Sequence, residues 1–170
     1  MFARVNFSQL TLMDALDLAS LIEVEAHKRY VYFAAQLGHR DPGDAASMFR
    51  SMAENEKKHG DQIAERRRAL FGDEPAKVKL DDVFEVEAPD FGLPRWDMSA
   101  LKALQIALSS EKKAYAFYDE ALPRVTQPEV KALFMDLRDE ETEHVRMVEE
   151  LIAKLPPEAA RDREDEDADD

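Results

Sequence analysis

Cysteine is absent from this chain of 170 residues. Its absence excludes disulfides, thiolate zinc sites, iron–sulfur clusters and rubredoxin-like iron in one step. Any metal the chain binds must be held by oxygen and nitrogen. Glycine is scarce, with five residues, and this scarcity beside abundant Ala, Leu, Glu, Lys and Met points to helices rather than a sheet. No apolar run approaches the roughly 20 residues a membrane span needs. Met1-Phe2-Ala3-Arg4 does not open a secretory signal, so a soluble, cytoplasmic protein is expected, with no membrane partner. Positive charge is also in short supply, with 23 Lys and Arg against 37 Asp and Glu and a net charge of −14. Such a chain repels a phosphate backbone, and no nucleic-acid partner is expected.

What the chain does contain is long helical segments. Turn and breaker residues divide it into four: about Thr11 to Leu37, ending near Gly38 and Asp41-Pro42-Gly43; Asp44 to Leu70, ending at Gly72; Ser99, a plausible N-cap, to Leu122; and Pro128 to Leu155, before Pro156-Pro157. Between the second and third lies a long connection, about residues 72–98, with Pro75, Pro89, Gly92, Pro94 and a short alternation at Val83-Phe84-Glu85-Val86. Two helical hairpins joined by one crossover define an all-α four-helix bundle over residues 1–157. Residues 158–170 hold eight acidic residues and two Arg, which reads as a solvated, disordered tail.

A metal-ligand spacing occurs twice: Glu56-Lys57-Lys58-His59 and Glu141-Thr142-Glu143-His144. On a helix, residues three apart lie about 60° apart and roughly one turn along, so a carboxylate and an imidazole can converge on one ion. Helical angles place these Glu residues on apolar faces. Around Glu56, the positions at −7, −4 and +7 are Phe49, Met52 and Ile63; around Glu141 they are Phe134, Leu137 and Val148. The other two helices repeat the pattern, with Leu16, Ala19 and Tyr30 around Glu23, and Leu104, Ala107 and Tyr118 around Glu111. Glu25, Glu54, Glu120, Glu140 and Glu143 fall outside the stripes. Each helix is thus predicted to bury one Glu near its middle.

Four ionised carboxylates buried without partners would each cost several kcal/mol. A cation must sit among them: either metal, or Lys and Arg in a salt-bridge network, for which Arg67 and Arg138 are the nearest basic residues. Four Glu neutralise two divalent ions, and two neutral His complete the set. Two such ions at 3.5–4 Å repel by about 16 kcal/mol at an effective dielectric near 20, which bridging carboxylates offset. This donor set suits iron or manganese better than structural zinc or calcium. Glu56 and Glu141 are the expected bridges, with Glu23 and His59 on one ion and Glu111 and His144 on the other, the two His being interchangeable at this point. Glu23 to Glu56 spans 33 positions and Glu111 to Glu141 spans 30, a near-repeat that implies a pseudo-twofold arrangement.

With these motifs in place, the chain resembles the rubrerythrin branch of the ferritin-like superfamily. The resemblance runs from about Leu12 to Leu155. It rests on Glu23 before Arg29-Tyr30-Val31-Tyr32-Phe33-Ala34, Glu56-x-x-His59, Glu111 before Phe117-Tyr118, and Glu141-x-x-His144. It implies a ferritin-like bundle holding two iron ions, reaction with hydrogen peroxide or dioxygen, and a homodimer, sometimes with exchanged helices. Rubrerythrins proper carry a further Glu three residues after the third-helix ligand, where this chain has Ala114, and usually a rubredoxin domain, which the lack of Cys excludes. A separate electron donor is therefore implied, and a ferroxidase or iron-storage protein of bacterioferritin type is the alternative.

Tyr30 and Tyr118, at equivalent positions, are candidates to hydrogen-bond the ligand carboxylates, with plain core packing the alternative. His27 lies near the face of Glu23 and reads as a supporting or surface residue. His39 suits a helix C-terminus. Arg66-Arg67-Arg68 reads as a salt-bridging face, and Phe84, Phe91 and Trp96 as a cover over the bundle.

Overall fold

The computed structural model describes residues 5–37, 45–79, 86 and 98–157. Gly38, His39, the Asp41-Pro42-Gly43 turn, Val83-Phe84-Glu85, Phe91, Trp96 and the acidic tail lie outside these residues. Among the described residues a short 3-10 turn, Phe7–Gln9, precedes four helices: α1 Leu12–Leu37, α2 Ala45–Phe71, α3 Ala100–Ala121 and α4 Pro128–Lys154. Among the described residues there is no strand, and no helix is long and apolar enough to cross a membrane.

The helix ends follow from local chemistry. Before α1, Thr11 and Asp14 satisfy each other's backbone: Asp14 Oδ2 accepts from Thr11 N at 3.2 Å, and Thr11 Oγ1 accepts from Asp14 N at 3.2 Å. Gly72 closes α2 at φ 59°, a left-handed conformation that costs glycine little, and donates to Arg68 O at 2.8 Å. Ser99 caps α3 by accepting from Lys102 N at 3.3 Å, and Pro128 opens α4 where its missing N–H is not needed.

Close backbone approaches are concentrated within the hairpins α1–α2 and α3–α4 and are few between them. The interior between the hairpins is therefore filled by side chains. It contains two apolar clusters. One gathers Leu16, Ile22, Phe117, Tyr118, Phe134 and Leu137; the other gathers Tyr30, Phe33, Phe49, Leu104, Ile106 and Val148. On every helix the buried Glu falls between the stretches that feed the two clusters: Glu23 after Ile22, Glu56 after Ala53, Glu111 after Ala107 and Glu141 after Leu137. All twelve flanking positions named from the helical angles are buried. Burial of each large apolar side chain contributes about 1.5–3 kcal/mol, and these two layers hold a polar centre that burial alone would oppose.

Candidate metal centre

Glu23, Glu56, Glu111, Glu141 and His144 are all at most 5% exposed, and His59 is half-buried at the edge of the same group. The two imidazoles stack across the α2–α4 seam, with ring centroids 5.8 Å apart and planes 10° from parallel. His144 Nδ1 lies 3.2 Å from Glu111 Oε2, 3.3 Å from Glu56 Oε1 and 3.6 Å from Glu141 Oε2. His59 Nδ1 lies 4.0 Å from Glu23 Oε2 and 3.6 Å from Glu140 Oε2. The six residues singled out in the sequence are thus brought together. So is a seventh, Glu140, which helical angles had placed outside the stripe.

Among the described residues, three sets of donor atoms within 4.8 Å of one another could hold a metal ion: Glu23, His59 and Glu140; Glu56, His59 and His144; and Glu111, Glu141 and His144. The orphaned buried atoms test the fit. Glu56 Oε1, His59 Nδ1 and His144 Nδ1 are buried and make no hydrogen bond. A single imidazole N–H satisfies one acceptor, yet three carboxylate oxygens surround His144 Nδ1. Ligand atoms held about 2.1 Å from one ion are spaced roughly 3.0–3.4 Å apart at octahedral to tetrahedral angles, close to the spacing around His144.

Electrostatics lead to the same requirement for positive charge. Burial alone would lower the pKa of His144, but Glu111 and Glu141, with Glu56 beside them, outweigh it and push it up to about 12. Without metal, the carboxylates retain a proton on the imidazole as their nearest cation. At Glu140, burial raises the carboxyl pKa against the opposing pull of His59 and His144.

The salt-bridge alternative does not describe this centre. Arg67 Nε donates to Asp17 Oδ1 at 2.8 Å, and its Nη atoms donate to Gly72 O and Glu74 O, so it secures the end of α2. Arg138 pairs with Asp119 and Asp139. His27 Nδ1 lies 2.8 Å from Ala53 O and ties α1 to α2. The Tyr30 hydroxyl makes no hydrogen bond; its ring stacks on Phe49 at 5.8 Å and meets Phe33 edge-on, so it packs in the core rather than gripping a carboxylate. Tyr118 is fully buried, edge-on to Phe117 and Phe134.

Two residues of the centre escaped the sequence analysis, and one had a legible signal. Glu140 lies four residues before His144, hence about 40° from it on the helix, so an inward His144 brings Glu140 toward the α2 seam. Gly60 follows His59 on α2, and a Cβ there would stand 3.3 Å from Glu23 Cβ. A helical glycine costs about 1 kcal/mol relative to alanine, and here it makes room for α1 to present Glu23.

A four-helix bundle of two hairpins with a carboxylate–histidine cluster at mid-height belongs to the ferritin-like class. The family model for rubrerythrin matches residues 14–152 and 102–166, and the chain is a member of the rubrerythrin family. That family generally binds a di-iron centre. A solved structure, an uncharacterized conserved protein from Magnetospirillum magnetotacticum MS-1, is 32% identical, with a TM-score of 0.69 over 86% of this chain and 97% of that one. No curated protein matches significantly.

Proposed function

We propose that this chain is a cytoplasmic di-iron oxidoreductase that reduces hydrogen peroxide, or dioxygen, with electrons from a separate donor. The observation that carries this reading is Glu56: 3% exposed, with Oε1 lacking a hydrogen bond, it has a carboxylate oxygen within 4.8 Å of a ring nitrogen on each of two stacked imidazoles. Glu23, Glu56, His59, Glu111, Glu141 and His144 would hold two iron ions, with manganese the other metal the donors suit. A reduced di-iron pair supplies two electrons, the number needed, with two protons, to convert one hydrogen peroxide to two waters.

The chain's own residues supply position and dryness. Glu23 and Glu111 approach from α1 and α3, and the paired Glu and His of α2 and α4 face each other across the seam. Phe49, Leu104 and Tyr30 on one side and Leu16, Phe134 and Tyr118 on the other exclude water, which strengthens every charge interaction between them. Half-buried His59 marks the side nearest solvent. A homodimer belongs to the same reading; exposed Val24 and Val31, a heptad apart on α1, offer an apolar contact for a second copy.

Stopped-flow mixing of anaerobic ferrous protein with peroxide tests the activity. One peroxide should be consumed per chain loaded with two irons. Faster turnover with dioxygen would shift the reading to a ferroxidase, and iron inert to both oxidants would overturn it.

A further inference from the structure

Carboxylates are unevenly shared between the two imidazoles. Three approach His144 Nδ1 within 3.6 Å: Glu111, Glu56 and Glu141. His59 Nδ1 has Glu23 at 4.0 Å, and nearer to it, at 3.6 Å, Glu140. Without Glu140, an ion on the His59 side would face one carboxylate not already drawn toward His144.

Among the described residues no other carboxylate supplies that charge: Glu56, the further acid grouped with His59, already lies 3.3 Å from His144 Nδ1. In the internal repeat, Glu140-Glu141-x-x-His144 corresponds to Asn55-Glu56-x-x-His59, so the equivalent position on α2 is a neutral amide. On α3 the fully buried Ala114 brings no carboxylate. The polar interior that Glu140 borders also contains the buried Glu56 Oε1, which lacks a hydrogen bond. It is therefore built for a ligand rather than being a surface cluster of acids.

We propose that Glu140 is a seventh ligand of the centre, completing the metal position formed by Glu23 and His59. This rests on the metal-centre reading above and extends it, because it makes the two metal positions inequivalent. With a side chain 42% exposed, Glu140 is the solvent-side ligand and the first carboxylate an incoming ion meets. It also raises the carboxylate charge of the centre to −5, between the +4 of two divalent ions and the +6 of two trivalent ones. The imbalance on oxidation is thereby smaller than with four.

Calorimetric and visible-absorption titration of the metal-free, full-length chain with Co²⁺ tests this, comparing the unaltered protein with Glu140→Gln. The unaltered protein should bind two ions per chain. Glu140→Gln should retain both, with one site weakened about 10–100-fold and the other within about twofold. Glu140→Asp, which keeps the charge, should recover part of the loss. Both affinities unchanged in Glu140→Gln, or both weakened equally, would overturn the assignment while leaving the centre intact. Failure of the unaltered protein to take up Co²⁺ would instead overturn the metal centre itself. Thermal unfolding of metal-free Glu140→Gln, expected to match the parent, separates ligand loss from loss of fold.

Discussion

His59 and His144 stack with their ring centroids 5.8 Å apart and their planes within 10°, although they sit on α2 and α4 in different hairpins. Neither Nδ1 makes a hydrogen bond. Between hairpins that make few close backbone approaches, this pairing marks where the halves converge on a common charge.

Glu56 is the shared acid of the pair. Glu56→Gln should reduce metal affinity on the order of 100-fold or more, because it removes a carboxylate that lies within 4.8 Å of a ring nitrogen of both imidazoles. The metal-free variant should remain folded, with the His144 proton held less tightly once Glu56 is neutral, so the stability that proton contributes should be smaller than in the parent. Calorimetry and denaturant unfolding measure the two effects. Unchanged metal content would count against the centre.

The proton on His144 sets the pH behaviour of the metal-free protein. Its folded pKa is raised from 6.5 to about 12, so the folded state binds more protons than the unfolded state between those values. The stability it contributes is complete below pH 6.5 and is lost as pH rises toward 12. The melting temperature of the metal-free protein should therefore fall between pH 7 and 9, and His144→Gln should flatten that slope. Metal must displace the same proton, so affinity should rise with pH, and calorimetry in buffers of different ionisation enthalpy should record proton release. Metal uptake with no proton release would contradict this assignment.

Gly60 offers a more localised test. In Gly60→Ala the new methyl meets Glu23 Cβ at 3.3 Å, which requires a shift of a few tenths of an ångström. The stability of the metal-free protein should change by less than about 1 kcal/mol, because alanine's helix preference offsets the crowding. Affinity for one of the two ions should fall while the other is retained. Equal binding of both ions in variant and parent would show that the close approach has no part in the site.

Much of this architecture was legible because helix periodicity and breaker residues act locally. Predicted Ser99 to Leu122 became Ala100–Ala121, and predicted Asp44 to Leu70 became Ala45–Phe71. The buried Glu residues could be found because an acid in an apolar stripe is conspicuous at 100° per residue, and all four are indeed buried. Glu140 was missed although its offset of about 40° from His144 was legible, because whether that offset reaches the centre depends on where α2 lies beside α4. The same limit hid Gly60, whose neighbour is on α1. Tyr30 occupies the expected position yet packs among Phe33 and Phe49, since periodicity assigns a face but not the reach of a hydroxyl.

Anomalous diffraction at the iron edge, from crystals of the chain loaded anaerobically with ferrous iron, tests the central claim most directly. Two peaks roughly 3.5–4 Å apart are predicted, enclosed by Glu23, Glu56, His59, Glu111, Glu141 and His144. No peak among these side chains, with the carboxylates paired to protein cations instead, would contradict it.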